Sequence, residues 1–191
     1  MYSHLNDFPA DIRERAMRIR LVCFDVDGTL TDGRLYIDGD GRETKTFHVF
    51  DGLGIKLLMR HGIAVAFVTA RLSPSAERRA TELGVESHTG VHDKLACVSG
   101  ICERMGIGLD AVAFMGDDLP DLRVMQQVGL SVAPAQAHRW TSERAHWRTL
   151  ARGGEGAARE LCDLLLAAQG HAEHLVADIA HVTGVRVENQ S

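Results

Sequence analysis

This 191-residue sequence predicts an α/β fold in which helices cover both faces of a parallel central sheet. Three observations carry that expectation. Short apolar runs, β-branched in part, recur at 19–24, 64–68, 111–115 and 130–132. Segments with recognisable helix starts and stops fall between them. Acidic or hydroxyl residues follow directly on three of the runs, where open α/β sheets place their ligands.

Taken in order, residues 12–18 read as a short charged helix leading into the fold. Residues 19–24 end at a cluster of acids, the pattern of a buried strand feeding a functional loop. Residues 34–49 alternate around Asp38-Gly39-Asp40-Gly41, which is hairpin turn chemistry. Residues 52–61 read as a helix and Ala64–Val68 as a second buried strand. Ser73-Pro74 opens a helix that ends at Leu83-Gly84. A short strand over 85–88, a helix over 93–105 closed by Gly106, and a strand over 111–115 follow. A helix over 120–127, a strand over 130–132 and an amphipathic helix over 155–168 complete the series. In the last of these Ala157, Leu161, Leu164 and Leu165 share one side. No repeat or long linker intervenes. The expectation is one domain over 1–170 and a C-terminal tail over 171–191, of which 171–181 can extend a helix.

Composition narrows the function. Apolar residues at 45% and charged residues at 25% are the balance of a globular protein able to bury a core. A formal net charge of -5 argues against a nucleic-acid partner, yet permits a local basic pocket for an anionic substrate. Residues 1–11 lack an apolar signal core, and no run approaches the roughly 18 apolar residues that span a bilayer, so no membrane partner is expected. Cys23, Cys97, Cys102 and Cys162 form no C-x-x-C pair. They read as reduced thiols of a cytoplasmic protein rather than zinc ligands or disulfides.

The strongest chemical signal is Asp25-Val26-Asp27-Gly28-Thr29-Leu30-Thr31, just past the first apolar run. In an extended segment residues two apart point to one side, so Asp25 and Asp27 can converge on one substrate. One carboxylate can then attack while the other handles a proton, provided their surroundings separate their pKa values. Gly28 lets the chain turn sharply after them. Gly116-Asp117-Asp118-Leu119-Pro120-Asp121 follows a later strand. Carboxylates from two strand ends can meet over the sheet and hold a hard cation, and Mg2+ suits such a set. Asp117 is the favoured ligand, with Asp118 and Asp121 behind it; helix capping by Asp118 is the competing use of these acids. Thr69 offers a hydroxyl and a backbone N–H to a phosphoryl oxygen, and Lys94 offers a positive charge. Each is bland alone and informative only in its order along the chain.

That order, Asp25-x-Asp27-Gly28-Thr29, then Thr69, Lys94 and Gly116-Asp117-Asp118, resembles the haloacid dehalogenase superfamily over residues 19–133. The resemblance implies a Rossmann-like three-layer sandwich and a magnesium-dependent phosphatase. Asp25 would be the nucleophile and Asp27 the general acid and base. Thr69 and Lys94 would hold the phosphoryl group. Magnesium would bind the Asp25 carboxylate, the Asp27 backbone carbonyl and Asp117. The intervals from Leu30 to Thr69 and from Thr69 to Lys94 are too short for a folded cap, which implies a capless member with a β-hairpin flap, about 34–49, in place of a cap domain.

Phe47-His48-Val49-Phe50-Asp51-Gly52-Leu53-Gly54-Ile55-Lys56, Thr31-Asp32-Gly33 and Gly153-Gly154-Glu155-Gly156 extend the likeness, from about residue 19 to residue 170, to sugar-acid phosphatases that act on 3-deoxy-D-manno-octulosonate 8-phosphate in lipopolysaccharide biosynthesis. Carried over position by position, substrate binding falls to Asp27, His48, Asp51, Gly52, Lys56, Ala70, Arg71, Arg79 and Lys94. Cations of this kind suit a substrate bearing both a carboxylate and a phosphate. Two positions depart from the family pattern: Ala70 stands where it has glycine, and Phe50 where it has arginine or lysine. The second keeps a nine-carbon sugar acid 9-phosphate as an alternative substrate. A phospho-acceptor signalling domain is the rival from another class, disfavoured because the paired acids lie on the first strand. The resemblance also implies a homotetramer in which a flap and C-terminal segment from neighbours complete each site. The 153–156 glycine stretch would give that segment its reach. Trp140 and Trp147 are expected to pack rather than bind.

Overall fold

The structure, a computed structural model, describes residues 8–172 and Leu175. The C-terminal tail and the helical extension expected over 171–181 otherwise lie outside the described residues.

The described residues form eight strands and seven α-helices: α1 (Ala10–Ala16), β1 (Leu21–Phe24), β2 (Tyr36–Ile37), β3 (Glu43–Thr44), α2 (Val49–Arg60), β4 (Ala64–Val68), α3 (Pro74–Leu83), β5 (Glu86–His88), α4 (Lys94–Met105), β6 (Val112–Met115), α5 (Leu122–Met125), β7 (Leu130–Ala133), α6 (Arg139–Ser142), β8 (Trp147–Arg148) and α7 (Ala157–Ala168). Six strands form one sheet in the order β5-β4-β1-β6-β7-β8, and every pairing in it is parallel. β2 and β3 pair separately as an antiparallel hairpin. The expected α/β three-layer sandwich is therefore present, and its apolar strands are buried on both faces as parallel strands must be.

Alternation along the strands builds two cores. Val22 and Phe24 of β1, Val65 and Phe67 of β4, and Ala113 and Met115 of β6 face the layer that contains α2 and α7. Leu21 and Cys23, Ala66 and Val68, and Val112 and Phe114 face the layer of α4 and α5. Ala157, Leu161, Leu164 and Leu165 of α7 are fully buried, as their spacing predicts.

Caps set the helix bounds. The Ser73 hydroxyl accepts the Ala76 N–H at 3.2 Å, Pro74 opens α3, and Gly84 closes it with φ +77°. Asp93 and Gly106 do the same for α4. Two expectations need correction. The helix over 120–127 is a 3-10 turn at Leu119–Asp121 followed by four residues of α-helix, because Asp118 and Asp121 form a capping box that tightens the entry. A sixth strand of the main sheet, β8, and the short α6 occupy residues to which no element was assigned; two residues are too few to show a strand's periodicity. Trp147 packs as expected, edge-on to Phe8 at 5.3 Å, and Trp140, though 56% exposed, packs edge-on to His138 at 5.2 Å.

Chain direction positions the site. From β1 the sheet grows outward through β4 and β5, then returns to β6 on the other side of β1. The strand order reverses between β1 and β6, and ligands of open α/β sheets bind at the carboxyl ends beside such a reversal. Asp25 follows directly on β1, and Asp117 follows β6 after Gly116.

Candidate active site

Asp25 is held by the sheet itself, for its N–H still donates to Met115 O at 2.9 Å. The chain then folds over the strand end. The N–H groups of Thr29, Leu30 and Thr31 all converge on Val26 O, and Thr31 Oγ1 accepts from Gly28 and Gly33 while donating to Val26 O. Gly28 has φ +82°, and a Cβ there would collide with the Asp117 carboxylate, so the glycine both makes the turn and admits its neighbour. From behind, Gln136 Nε2 donates to Gly28 O at 2.5 Å and Gln136 Oε1 accepts the Gly153 N–H at 2.7 Å. Gly154 donates to Thr29 O. A Cβ at Gly153 or Gly154 would strike the Gly28 or Thr31 backbone. The glycine stretch, expected to free the C-terminal segment, packs against the loop after β1 and delivers the chain to α7.

Lys94 begins α4, and its side chain is only 3% exposed. Its Nζ lies 2.6 Å from Asp25 Oδ1 and 2.6 Å from Asp121 Oδ1. The other Asp121 oxygen accepts the N–H groups of Asp117 at 3.0 Å and Asp118 at 3.2 Å. Oxygens of Asp25, Asp117 and Asp121 all lie within 4.8 Å of one another. Three carboxylates thus face one ammonium. Burial, together with Asp121 and Asp117, pushes the Asp25 carboxyl well up despite the opposing pull of Lys94. Burial and the charges of Asp121 and Asp118 push Asp117 up to about 7. Burial works against the Lys94 ammonium, but Asp25 and Asp121 outweigh it and hold its pKa above the ordinary value.

This donor set fits a hard divalent cation. The cluster carries uncompensated negative charge, and oxygen ligands on two adjacent strand ends are what magnesium uses. Both Asp121 oxygens are already engaged by protein donors, whereas the Asp117 carboxylate makes no hydrogen bond to another side chain among the described residues. That division favours Asp25 and Asp117 as ligands with Asp121 behind them, orienting Lys94 and the 117–118 backbone.

The remaining expected residues divide. Thr69 is buried, but its N–H is spent on His88 O at 2.9 Å, so only its hydroxyl remains available, which corrects the expectation that both would serve. The neighbouring Ala70 N–H has no partner among the described residues. Neither do those of Val26 and Asp27. His48, Asp51, Gly52 and Arg79 line one small cleft between α2 and α3. Within it His48 Nδ1 caps α2 at the Phe50 N–H, Asp51 Oδ1 accepts the Arg159 N–H at 2.8 Å, and Arg79 stacks over Phe47 with its Cζ 5.9 Å from the ring centre. Burial raises the Asp51 pKa. A Cβ at Gly52 would collide with the Arg79 guanidinium. Lys56 is exposed and outside this group, and Phe50 is 60% exposed. Arg71 pairs with Glu43 of the hairpin.

Two residues escaped the sequence reading. Lys45 and Glu43 reach the site from the hairpin, Lys45 pairing with Asp27. Their spacing of two puts them on one face of an extended strand, but nothing local shows which residues that face meets.

A family model for haloacid dehalogenase-like hydrolases matches residues 88–161. The chain is 45% identical over 162 residues to a 3-deoxy-D-manno-octulosonate 8-phosphate phosphatase of Escherichia coli, covering 84% of this chain and 86% of that one. A solved structure of a hypothetical protein from Xanthomonas campestris superposes with a TM-score of 0.91 at 57% identity, covering 93% of this chain and 98% of that one. A 3-deoxy-D-manno-octulosonate 8-phosphate phosphatase from Moraxella catarrhalis, solved with magnesium, phosphate and the sugar acid, superposes with a TM-score of 0.87 at 38% identity, covering 90% and 99%.

Proposed function

Because this chain belongs to the haloacid dehalogenase-like hydrolases and is a phosphatase of that family, we propose that it hydrolyses 3-deoxy-D-manno-octulosonate 8-phosphate, through a phospho-aspartate on Asp25, to supply the free sugar acid for lipopolysaccharide biosynthesis in the cytoplasm. The observation that carries the chemistry is Asp25 at the sheet's reversal point, buried and bound to Lys94, with a second carboxylate two residues on.

In this reading Asp25 attacks phosphorus and Asp27 protonates the departing alkoxide. Asp27 then takes a proton from the water that releases phosphate. The Val26, Asp27 and Ala70 N–H groups, the Thr69 hydroxyl and Lys94 receive the equatorial oxygens as charge develops on them. Magnesium bound by Asp25, the Asp27 carbonyl and Asp117 would neutralise charge on the transferring group. His48, Asp51, Gly52 and Arg79 serve the sugar acid, with Arg71 at the rim and the exposed Lys56 as an outlying cation. A homotetramer, in which neighbours cover the open mouth, completes the reading. Its support is the outward face of the hairpin, where Leu35 is 54% and Ile37 62% exposed.

The test is a turnover panel with magnesium, comparing 3-deoxy-D-manno-octulosonate 8-phosphate with a nine-carbon sugar acid 9-phosphate and with neutral sugar phosphates. The expected result is the highest kcat/KM on the eight-carbon acid. Preference for a neutral sugar phosphate would overturn the assignment of the cationic rim, and preference for the nine-carbon acid would make Phe50 the residue that shifted specificity.

A further inference from the structure

Asp27 is gripped from outside the sheet. Lys45, one residue beyond β3, turns inward with a side chain only 3% exposed. Its Nζ donates to Asp27 Oδ1 and lies 2.6 Å from Glu43 Oε1. The second Glu43 oxygen pairs with Arg71 of the loop after β4. Alternating charges therefore run from Arg71 through Glu43 and Lys45 to Asp27. A buried ammonium is tolerated only when its charge is matched nearby, and Glu43 and Asp27 match it from two sides. The flap's other polar ties, from Tyr36 and Arg34 to Asp32, stay at its own base. The Lys45 chain is what joins the hairpin to the catalytic loops among the described residues.

We propose that Lys45 is a positioning residue for Asp27, which it aligns only while the flap lies on the site. The inference rests on the assignment of Asp27 as proton carrier made above. With Oδ1 engaged by Lys45, the other oxygen, buried and without a partner among the described residues, is left to move the proton. In the first half-reaction the Asp27 proton passes to the bridging ester oxygen as the P–O bond breaks and the Asp25–phosphorus bond forms. In the second, Asp27 takes a proton from water as the water oxygen bonds to phosphorus and the Asp25–phosphorus bond breaks. An ammonium fixed beside Oδ1 stabilises the carboxylate that exists between the two halves.

The test compares leaving groups in Lys45→Met and Lys45→Arg. With enzyme in excess, so that one turnover is followed, product release is timed for p-nitrophenyl phosphate and for the primary-alcohol phosphate that the protein turns over fastest in the panel. An alkoxide needs a proton to leave, whereas p-nitrophenolate does not. Lys45→Met should slow the alkyl ester at least tenfold, a share of the ~10²–10⁴ that general acid–base catalysis supplies. It should leave p-nitrophenolate release within about threefold of wild type. The KM should change less than the kcat, and Lys45→Arg should recover most of the loss. Equal slowing of both esters, a change in KM alone, or no change would each overturn the role of Lys45. Failure of the underlying reading shows separately, as turnover of the alkyl ester that survives in Asp27→Asn.

Discussion

The sheet-end cluster and the hairpin flap are held by opposite means. Asp25, Lys94 and Asp121 are almost wholly buried, and they are carried by the end of β1, the start of α4 and the 3-10 turn that leads into α5. The flap has two strands of two residues, exposed outer side chains, and one chain of ion pairs tying it down. The contrast teaches that the charge arrangement for phosphoryl transfer is preorganised by the fold, where electrostatic stabilisation is worth most. The flap meets this framework at few points and carries only the proposed alignment of Asp27. A disturbance of the cluster should therefore abolish chemistry, and a disturbance of the flap should modulate it.

The largest effect belongs to Asp25→Asn. The amide keeps the shape but cannot form the acyl phosphate, so turnover should fall by about three orders of magnitude or more while circular dichroism and Tm report a folded protein. The electrostatics predict no loss of stability, since one of three crowded carboxylates has been neutralised. Ready turnover in the folded variant would erase the distinction between the two regions.

Metal removal comes next and carries a pH signature. Chelation should abolish activity and magnesium should restore it, with Asp117→Ala raising the requirement. The Asp117 carboxyl ionises near 7 in the folded protein against about 3.8 ordinarily, because of burial and its acidic neighbours. A raised carboxyl pKa means that the folded state holds the proton more tightly. Its stabilising effect is complete below about pH 4 and is lost as pH rises towards 7. Metal-free protein should accordingly melt lower at pH 8 than at pH 5. Magnesium at ~100 times its Kd should raise Tm by about 5–10 °C at pH 8, and by clearly less at pH 5, where protons compete. Calorimetry at both pH values decides this, and equal gains would show that the cation binds elsewhere.

Legibility in the sequence follows the same division. The cluster was readable because buried acids after apolar strands are costly without a purpose, and Asp25, Lys94 and Asp117 do meet. The α3 and α4 boundaries were readable because Ser73, Gly84, Asp93 and Gly106 mark them. The Thr69 N–H was misassigned because a strand's last hydrogen bond, here to His88, depends on where the neighbouring strand ends. β8 and the Lys45–Glu43–Arg71 chain were not readable for a related reason. Each depends on which distant segment lies alongside, and local pattern records only a residue's own face. Gly153 and Gly154 looked like a flexible joint, yet they are small because the catalytic loop presses on them.

The smallest effect on chemistry, and the sharpest on architecture, is expected at the flap's outer face. Ile37 is 62% exposed and Leu35 54%, and neither touches the acid cluster. In a monomer, placing a charge at an exposed position changes stability by only about 0.5 kcal/mol. If instead that face is covered by a neighbouring copy, a charge there must be desolvated at the interface, and the assembly gives way. Light scattering of the wild type should give about four times the 20.9 kDa chain mass. Ile37→Asp should lower that mass, raise KM several-fold and leave the kcat within about threefold, because the Asp25 and Lys94 geometry is untouched. A wild-type monomer at assay concentration with full activity on the sugar-acid phosphate would mean that the flap closes its own site. The Lys45 contact would then be the whole of the closure.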